Sequence, residues 1–379
     1  MTDSNDVLHP DPITRVELAI ADMKAGKMVI LVDDEDRENE GDIVIAAEMC
    51  TPEAITFMVM HARGLVCLSM TNEQIERLAL PMMATNNQSA YETAFTVSIE
   101  ARHNVTTGIS SADRAETIRA AIQPDATPRD IVTPGHMFPL RARAGGVLER
   151  VGQTEGSVDL ARMSGLMPAG VICEIIRDDG EMARMPDLMK FGAEHNMRIV
   201  AVADLIKYRM RNERIVTPVE DGTVEVPGLG TFNSRLYEGM RGEHHMALWQ
   251  GEIGSGMTTV RVQASPPPWS FLGEPVSKAA RQAQAAMAEI AKHGGALVLM
   301  HQNGGGAPEL EAAWRRDFAG TKPELPRATA EALRDLGAGC QILVDLGCKD
   351  LRLLTSSTRP IVGIESYGLN IVERVSLDV

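Results

Sequence analysis

Aromatic side chains are scarce in this 379-residue chain, at 4% for Phe, Trp and Tyr together. A core of that composition has to be filled by aliphatic residues and by the 22 methionines, whose flexible thioethers adapt to irregular gaps. A cationic surplus is missing too. With 52 acidic and 37 basic residues the formal charge is −15. That argues against a nucleic-acid or anionic-membrane partner, since both reward a basic face. A small anionic substrate stays compatible, because a local pocket needs only a few cations. No apolar run approaches the roughly 18 residues of a membrane span, and residues 1–12 are polar, without a basic stretch leading into an apolar one. These absences predict a cytoplasmic protein. The five cysteines, Cys50, Cys67, Cys173, Cys340 and Cys348, form no CxxC pair. They read as small hydrophobes in a reducing compartment, with Cys67 and Cys173 inside apolar runs.

The length predicts two domains. In the first half, apolar periodicity predicts helices at 13–25, 71–80, 111–122, 154–165 and 185–195, with a further helix starting at N-cap Thr51 and Pro52. Strands are predicted at 28–32, 43–47, 65–70, 94–99, 171–175 and 199–202. This alternation points to α/β or α+β, with helices packed on a sheet. A basic stretch at 204–213 reads as a terminal surface helix. The Pro- and Gly-rich segment 217–230 then reads as a boundary, giving domains 1–212 and 213–379. The second domain has strands of its own at 232–236, 245–250, 259–263 and 296–299, and helices at 277–293 and 329–336.

Chemistry concentrates in a few places. The segment Asp33-Asp34-Glu35-Asp36-Arg37-Glu38-Asn39-Glu40-Gly41-Asp42 lies between two apolar strands. Its carboxylates repel one another unless a hard cation with oxygen ligands neutralises them, and Arg37 offers a fork for a phosphate or carboxylate. A solvated acidic loop is the plain alternative. In Arg150-Val151-Gly152-Gln153-Thr154-Glu155, glycine lets the backbone approach an anion, and Thr154 is placed to cap the following helix, whose N-terminus favours negative charge. His136, after Pro134-Gly135, reads as a turn histidine open to solvent and suited to proton transfer. Glu174 interrupts the aliphatic run Val171-Ile172-Cys173-Glu174-Ile175-Ile176. Burial there raises its pKa, unless the strand is an edge and Glu174 faces water.

Together with Leu80-Pro81-Met82, Asn87-Gln88-Ser89-Ala90-Tyr91, Phe95-Thr96-Val97, Val105-Thr106-Thr107-Gly108, Asp113-Arg114, Pro134-Gly135-His136-Met137-Phe138-Pro139-Leu140 and Gly145-Gly146-Val147-Leu148, these segments resemble 3,4-dihydroxy-2-butanone 4-phosphate synthase of riboflavin biosynthesis. The likeness runs through most of residues 7–212. It implies an α+β fold, a homodimer with sites at the subunit interface, and conversion of ribulose 5-phosphate to 3,4-dihydroxy-2-butanone 4-phosphate and formate with Mg²⁺ or Mn²⁺. On matching positions it makes Glu38 a metal ligand and sets Arg37 and Asp42 on the substrate. It further implies that Arg150, Val151, Gly152, Gln153 and Thr154 hold the phosphate, and that His136 and Glu174 are the acid–base groups, with Glu174 also touching substrate. One position departs. The family's Arg-x-Gly-His-Thr has a metal-binding His where this chain carries Gln153, whose amide oxygen still suits Mg²⁺ but cannot titrate.

The second half resembles GTP cyclohydrolase II, most clearly at Gly339-Cys340-Gln341-Ile342-Leu343, Asp345-Leu346-Gly347, Arg352-Leu353-Leu354-Thr355 and Tyr367-Gly368-Leu369. That family's three zinc-binding cysteines are missing. The corresponding stretch is Gln263-Ala264-Ser265-Pro266-Pro267-Pro268-Trp269, and there is no Cys between Cys173 and Cys340. Its charged loop has become His301-Gln302-Asn303-Gly304-Gly305-Gly306. The expectation is a cyclohydrolase fold without zinc and without cyclohydrolase activity. A non-catalytic phosphate-ligand-binding or regulatory protein of the same pathway is the alternative, and Gln153 is the feature that favours it.

Overall fold

The computed structural model describes residues 7–33, 37–89, 91, 93–240, 242–266, 278–300, 330–355 and 364–377, with the backbone alone at 330–336 and 365–366. Asp34, Glu35, Asp36, Ala90, Pro267–Trp269 and the 301–306 loop lie outside these residues. The chain forms two compact units, Met1–Tyr208 and Arg209–Val379.

In the first unit a seven-stranded sheet runs in the order β4-β5-β3-β6-β2-β1-β7. Its strands are β1 (Val29–Val32), β2 (Gly41–Ala46), β3 (Cys67–Met70), β4 (Ile99–Ala101), β5 (Ile131–Arg141), β6 (Ala169–Glu174) and β7 (Ile199–Ala201). β1, β2 and β3 are buried along their whole length, the expected state of central strands covered on both faces. The helices are α1 (Pro12–Lys24), α2 (Pro52–Phe57), α3 (Asn72–Arg77), α4 (Ser111–Ile122), α5 (Gln153–Met163), α6 (Met185–His195) and α7 (Val202–Asn212). Thr51 caps α2, with Pro52 in its first turn, as the sequence implies. α5 packs on β2, β3 and β6. Two glycines let it lie that close. A Cβ on Gly156 would come 2.6 Å from Leu31 Cδ2, and one on Gly170 of β6 would come 2.6 Å from Ser157 Cβ. The core around the sheet is aliphatic and Met-rich, including Ile30, Ile43, Met58, Leu68, Met70 and Val171.

Three readings of the sequence are corrected here. The strand expected at 94–99 is reduced to single bridges at Phe95 and Thr96, and the paired segment starts at Ile99. The helix at 204–213 is not a surface helix. Asp204 and Arg209 are buried, their charges met by Arg15 and Glu213, and Leu205, Ile206 and Met210 are buried beside them. The segment 217–230, with the composition of a boundary, folds into a hairpin, β8 (Val216–Val226) against β9 (Gly230–Gly239), with Gly228 and Gly230 supplying the positive φ of its turn. Pro218 is tolerated because β8 is an edge strand. The unit division falls at Tyr208/Arg209, within α7.

The second unit has its own seven-stranded sheet, β14-β13-β11-β12-β10-β9-β8. It adds β10 (His244–Gln250), β11 (Thr258–Ala264), β12 (Gly295–Met300), β13 (Asp350–Leu354) and β14 (Asn370–Val375) to the hairpin. α8 (Lys278–His293) covers β11 and β12, burying Ala283, Ala286 and Ile290 against Phe232, Leu248 and Leu297, and α9 spans Ala330–Asp345. Cys67, Cys173, Cys340 and Cys348 are buried and unpaired, and Cys50 is half-buried.

Leu68 is fully buried at the centre of the first sheet. Leu68→Ala should therefore lower unfolding free energy by about 2–5 kcal/mol. Urea titration followed by circular dichroism checks this, and a loss below about 1 kcal/mol would mean that the β3 level is not the core of the unit.

Candidate active site

Asp33 leaves β1 with its carboxylate fully buried. It accepts the N–H groups of Glu38 (3.0 Å) and Glu40 (2.9 Å) and Arg37 Nη1 (2.7 Å), so it folds the rest of the acidic turn around itself. Asn39 takes a left-handed φ of 55°, which Asn tolerates better than most residues. The Arg37 guanidinium also reaches Glu38 Oε1 at 2.6 Å and Gln153 Oε1 at 3.0 Å. It stands 5.1 Å from the Tyr91 ring centre, while the Tyr91 hydroxyl donates to the Arg37 carbonyl at 2.9 Å. Arg184 ties down the turn by donating to the carbonyls of Glu38 and Asn39.

Asp42 lies directly opposite Glu174 in the antiparallel β2–β6 ladder, and opposite Leu31 in the β1–β2 ladder. Residues directly opposite share a face. Leu31 packs under Gly156 of α5, so Asp42 and Glu174 face the layer whose first turn carries Gln153. β6 is a central strand, which excludes the edge-strand reading of Glu174. Glu174 Oε2 accepts the Leu65 N–H at 2.8 Å. Gly64 has to be a glycine here, since a Cβ would sit 2.4 Å from the Glu174 carbonyl oxygen and 2.6 Å from Oε2. Burial holds the Asp42 carboxyl well above the ordinary aspartate value, and the charges of Glu174, Glu38, Asp33 and Glu40 add to the rise. Burial likewise raises Glu174, opposed by backbone N–H donors and reinforced by Glu38. Glu40 is raised by burial and by Glu38. Negative charge is therefore packed here beyond what the local arginines neutralise.

At the start of α5, Gly152 is the N-cap and no side chain caps the helix. This corrects the expectation for Thr154, which is buried inside the first turn. Arg150 donates to Glu155 Oε2 (2.7 Å), to the Tyr91 carbonyl and to Thr93 Oγ1. A Cβ on Gly152 would come 2.4 Å from Arg150 Nη1, so the glycine makes room for that guanidinium. Val151, half-buried, joins the two. Gln153 is 5% exposed, and its Nε2 has no hydrogen-bond partner.

His136 is the residue the fold does not bring into contact with this cluster. It is not on a turn either. It lies in β5 where the β4 partner shifts from Met137↔Ile99 to Val132↔Glu100, a bulge that re-aims the side chain. Its side chain is 45% exposed, with Nδ1 3.1 Å from Glu100 Oε1. β5 pairs in parallel with β3 from Phe138↔Cys67, so His136 projects from the same end of the sheet as Leu65, the donor to Glu174.

Asp33 as organiser, Glu100, Glu155 and Arg184 escaped the reading of the sequence. Asn39 before Glu40-Gly41 was the available signal for a left-handed turn at 39, and Gly108 the signal for Glu100, whose Oε1 would lie 0.7 Å from a Cβ there. Arg184 gave none. Among the described residues no three His, Cys, Asp or Glu form a protein-only cage. The oxygen-only donor set of Glu38 and Gln153, beside carboxylates of unneutralised charge, still fits a hard ion that takes one or two carboxylates and completes its shell with water and substrate.

Residues 17–208 match the family model of 3,4-dihydroxy-2-butanone 4-phosphate synthase, and residues 218–376 that of GTP cyclohydrolase II. A Neisseria meningitidis serogroup B protein named 3,4-dihydroxy-2-butanone 4-phosphate synthase is 46% identical over 381 residues, covering 96% of this chain and 98% of its own. The riboflavin biosynthesis protein RibBA of Aquifex aeolicus is 48% identical over 384 residues, covering 96% of this chain and 92% of its own. The crystal structure of RibBX from A. baumannii, described as a two-domain 3,4-dihydroxy-2-butanone 4-phosphate synthase, superposes with a TM-score of 0.76 at 42% identity, over 96% of this chain and 98% of that one.

The raised Asp42 carboxyl fixes the sign of a pH effect. Folded protein keeps a proton that unfolded chain loses above its ordinary value of 3.8, so this group's contribution to stability falls as pH rises through the folded value. Without metal, Asp42→Asn should unfold at a higher temperature than wild type above about pH 6, with the gap closing near about pH 3.5. Calorimetry in a chelator across that range checks it, and a less stable variant at neutral pH would contradict the assignment.

Proposed function

This chain belongs to the 3,4-dihydroxy-2-butanone 4-phosphate synthase family, and from that membership we propose how its first unit works. The chain is a lyase of riboflavin biosynthesis, with a GTP cyclohydrolase II-like domain behind the synthase domain. On our reading, D-ribulose 5-phosphate binds over the Asp42–Glu174 pair and leaves as 3,4-dihydroxy-2-butanone 4-phosphate and formate. The observation that carries this is the pair itself: two carboxyls facing across central strands, both raised by burial, next to Glu38.

Enediol formation, dehydration and skeletal rearrangement each need a proton taken from or returned to a C–H or O–H group. Glu174, raised by burial and oriented by the Leu65 N–H, holds a proton more readily than an ordinary carboxylate and is placed to exchange it with substrate. Asp42, also raised by burial, can in its protonated form donate a hydrogen bond to a substrate oxygen. His136 is the second acid–base group, accessible and held by Glu100. The uncapped first turn of α5, at Gly152, Gln153 and Thr154 with Val151 before it, presents N–H groups to the phosphate. Arg150 shapes that turn through Glu155, and Arg37 addresses the substrate. Mg²⁺ or Mn²⁺, held by Glu38 and the Gln153 amide oxygen, supplies Lewis-acid stabilisation of developing oxyanions when bound.

The functional form we propose is a cytoplasmic homodimer with sites at the subunit interface. Val59, Met60 and Leu65 are 40%, 63% and 43% exposed along the segment that leads to Glu174's donor, an apolar patch suited to a second copy. We assign no cyclohydrolase activity and no zinc to the second unit. Its cysteines, Cys340 and Cys348, are two, one short of the three-thiolate set of the cyclohydrolase family.

Purified chain given ribulose 5-phosphate and Mg²⁺ should release formate and leave GTP intact. Glu38→Gln and Glu174→Gln should each lower kcat by about 100-fold or more. No formate with either Mg²⁺ or Mn²⁺ overturns the reading, and recovery from near zero by Gln153→His would favour the non-catalytic alternative. Met60→Asp should shift the dimer toward monomer in sedimentation and lower formate release in parallel, whereas an unchanged dimer would remove this patch from the interface.

A further inference from the structure

One oxygen of each group proposed above for the metal already faces Arg37. Arg37 Nη2 lies 2.6 Å from Glu38 Oε1, and Nη1 donates to Gln153 Oε1 at 3.0 Å. The same Nη1 also reaches Asp33 Oδ2 at 2.7 Å, so one planar fork spans three oxygens. We infer that Arg37 is a tethered stand-in for the divalent ion: its guanidinium occupies the seat between Glu38 and Gln153, and ion and guanidinium exclude each other there.

The inference rests on the proposed metal site and adds a coupling to it. Gln153 is buried with Nε2 lacking any acceptor, so the Arg37 bond is what turns its oxygen toward the seat. A divalent ion needs that same oxygen. Two cations sharing it at ligand distance would repel strongly in a partly buried site. The backbone of Arg37 stays anchored through the Tyr91 hydroxyl, and Tyr91's own carbonyl is held by Arg150, just before the uncapped start of α5. A guanidinium that leaves the seat therefore remains tethered beside the proposed phosphate turn. An anion that draws Arg37 away should favour the ion, and by reciprocity the ion should favour the anion.

Lysine at position 37 separates this geometry from charge alone. It keeps the positive charge, but a single ammonium cannot span the three oxygens as the fork does. Free Mn²⁺ measured by paramagnetic resonance gives binding without turnover. Without phosphate, Arg37→Lys should bind Mn²⁺ about 3- to 10-fold tighter than wild type. Inorganic phosphate should tighten Mn²⁺ binding to wild type by a similar factor and leave the variant unchanged. Equal or weaker binding by the variant, with wild type still releasing formate, overturns the stand-in and spares the proposed reaction. No Mn²⁺ binding by either protein removes the metal site and the stand-in with it. Should the variant fail to fold by circular dichroism, absence of phosphate coupling in wild type alone is enough to overturn the inference.

Discussion

The first unit depends on carrying two carboxyl groups into the middle of a sheet. Asp42 and Glu174 face each other across β2 and β6, both central strands, where an ionised pair would be costly. Everything around them manages that cost. Leu65 gives a backbone N–H to Glu174, and Gly64 lets the chain come close enough to do so. Asp33 gathers the following turn so that Arg37 faces inward, and Arg184 holds the turn's carbonyls from outside. Burial first, and residual repulsion after it, lifts Asp42, Glu174 and Glu40 together. A fold selected for stability alone would place amides or aliphatics here. The arrangement makes sense as a site that trades stability for a seat for cationic or proton-sharing partners.

The layers were legible because buried strands and amphipathic helices write their period into the sequence. The helix over 111–122 and the strand run Val171 to Glu174 are examples, and Thr51-Pro52 announces α2 by its capping chemistry. Misreadings share a cause: local composition was outweighed by pairing that only the fold reveals. Pro134-Gly135-His136 looks like a turn, but the ladder to β4 resumes on both sides of it, at Val132 and Met137, which leaves it as a bulge within β5. The segment 217–230 has the composition of a boundary, but it folds as a hairpin whose turn its glycines form. The basic helix after residue 202 looks exposed, but Arg15, far away in sequence, and Glu213, one turn on from Arg209, neutralise its buried charges. The site was legible as a set of residue types. Its organiser was not, since nothing local distinguishes Asp33 from Asp34, and only the fold puts the first of them out of water with two N–H groups to accept.

The second unit shows the converse. Its sheet keeps β11, β12 and β13 parallel, and the apolar residues that pack α8 against them are intact. Packing and catalysis draw on different positions, so a core of this kind can form whatever side chains its loops carry. Between Cys173 and Cys340 there is no cysteine, yet Phe232, Leu248, Ile290 and Leu297 still close a core. Conservation of fold therefore carries no information about turnover in this half.

Gln153 stands where the resembling family has an imidazole. In the structure it is an amide whose oxygen meets Arg37 and whose nitrogen meets nothing. An imidazole in this place could take a proton and then repel the guanidinium, while a glutamine always offers it an acceptor. The substitution thus fits a site in which Arg37 supplies the cation until something better arrives. The acidic turn, the unfilled amide and the guanidinium are one electrostatic unit, and none of the three is intelligible without the others.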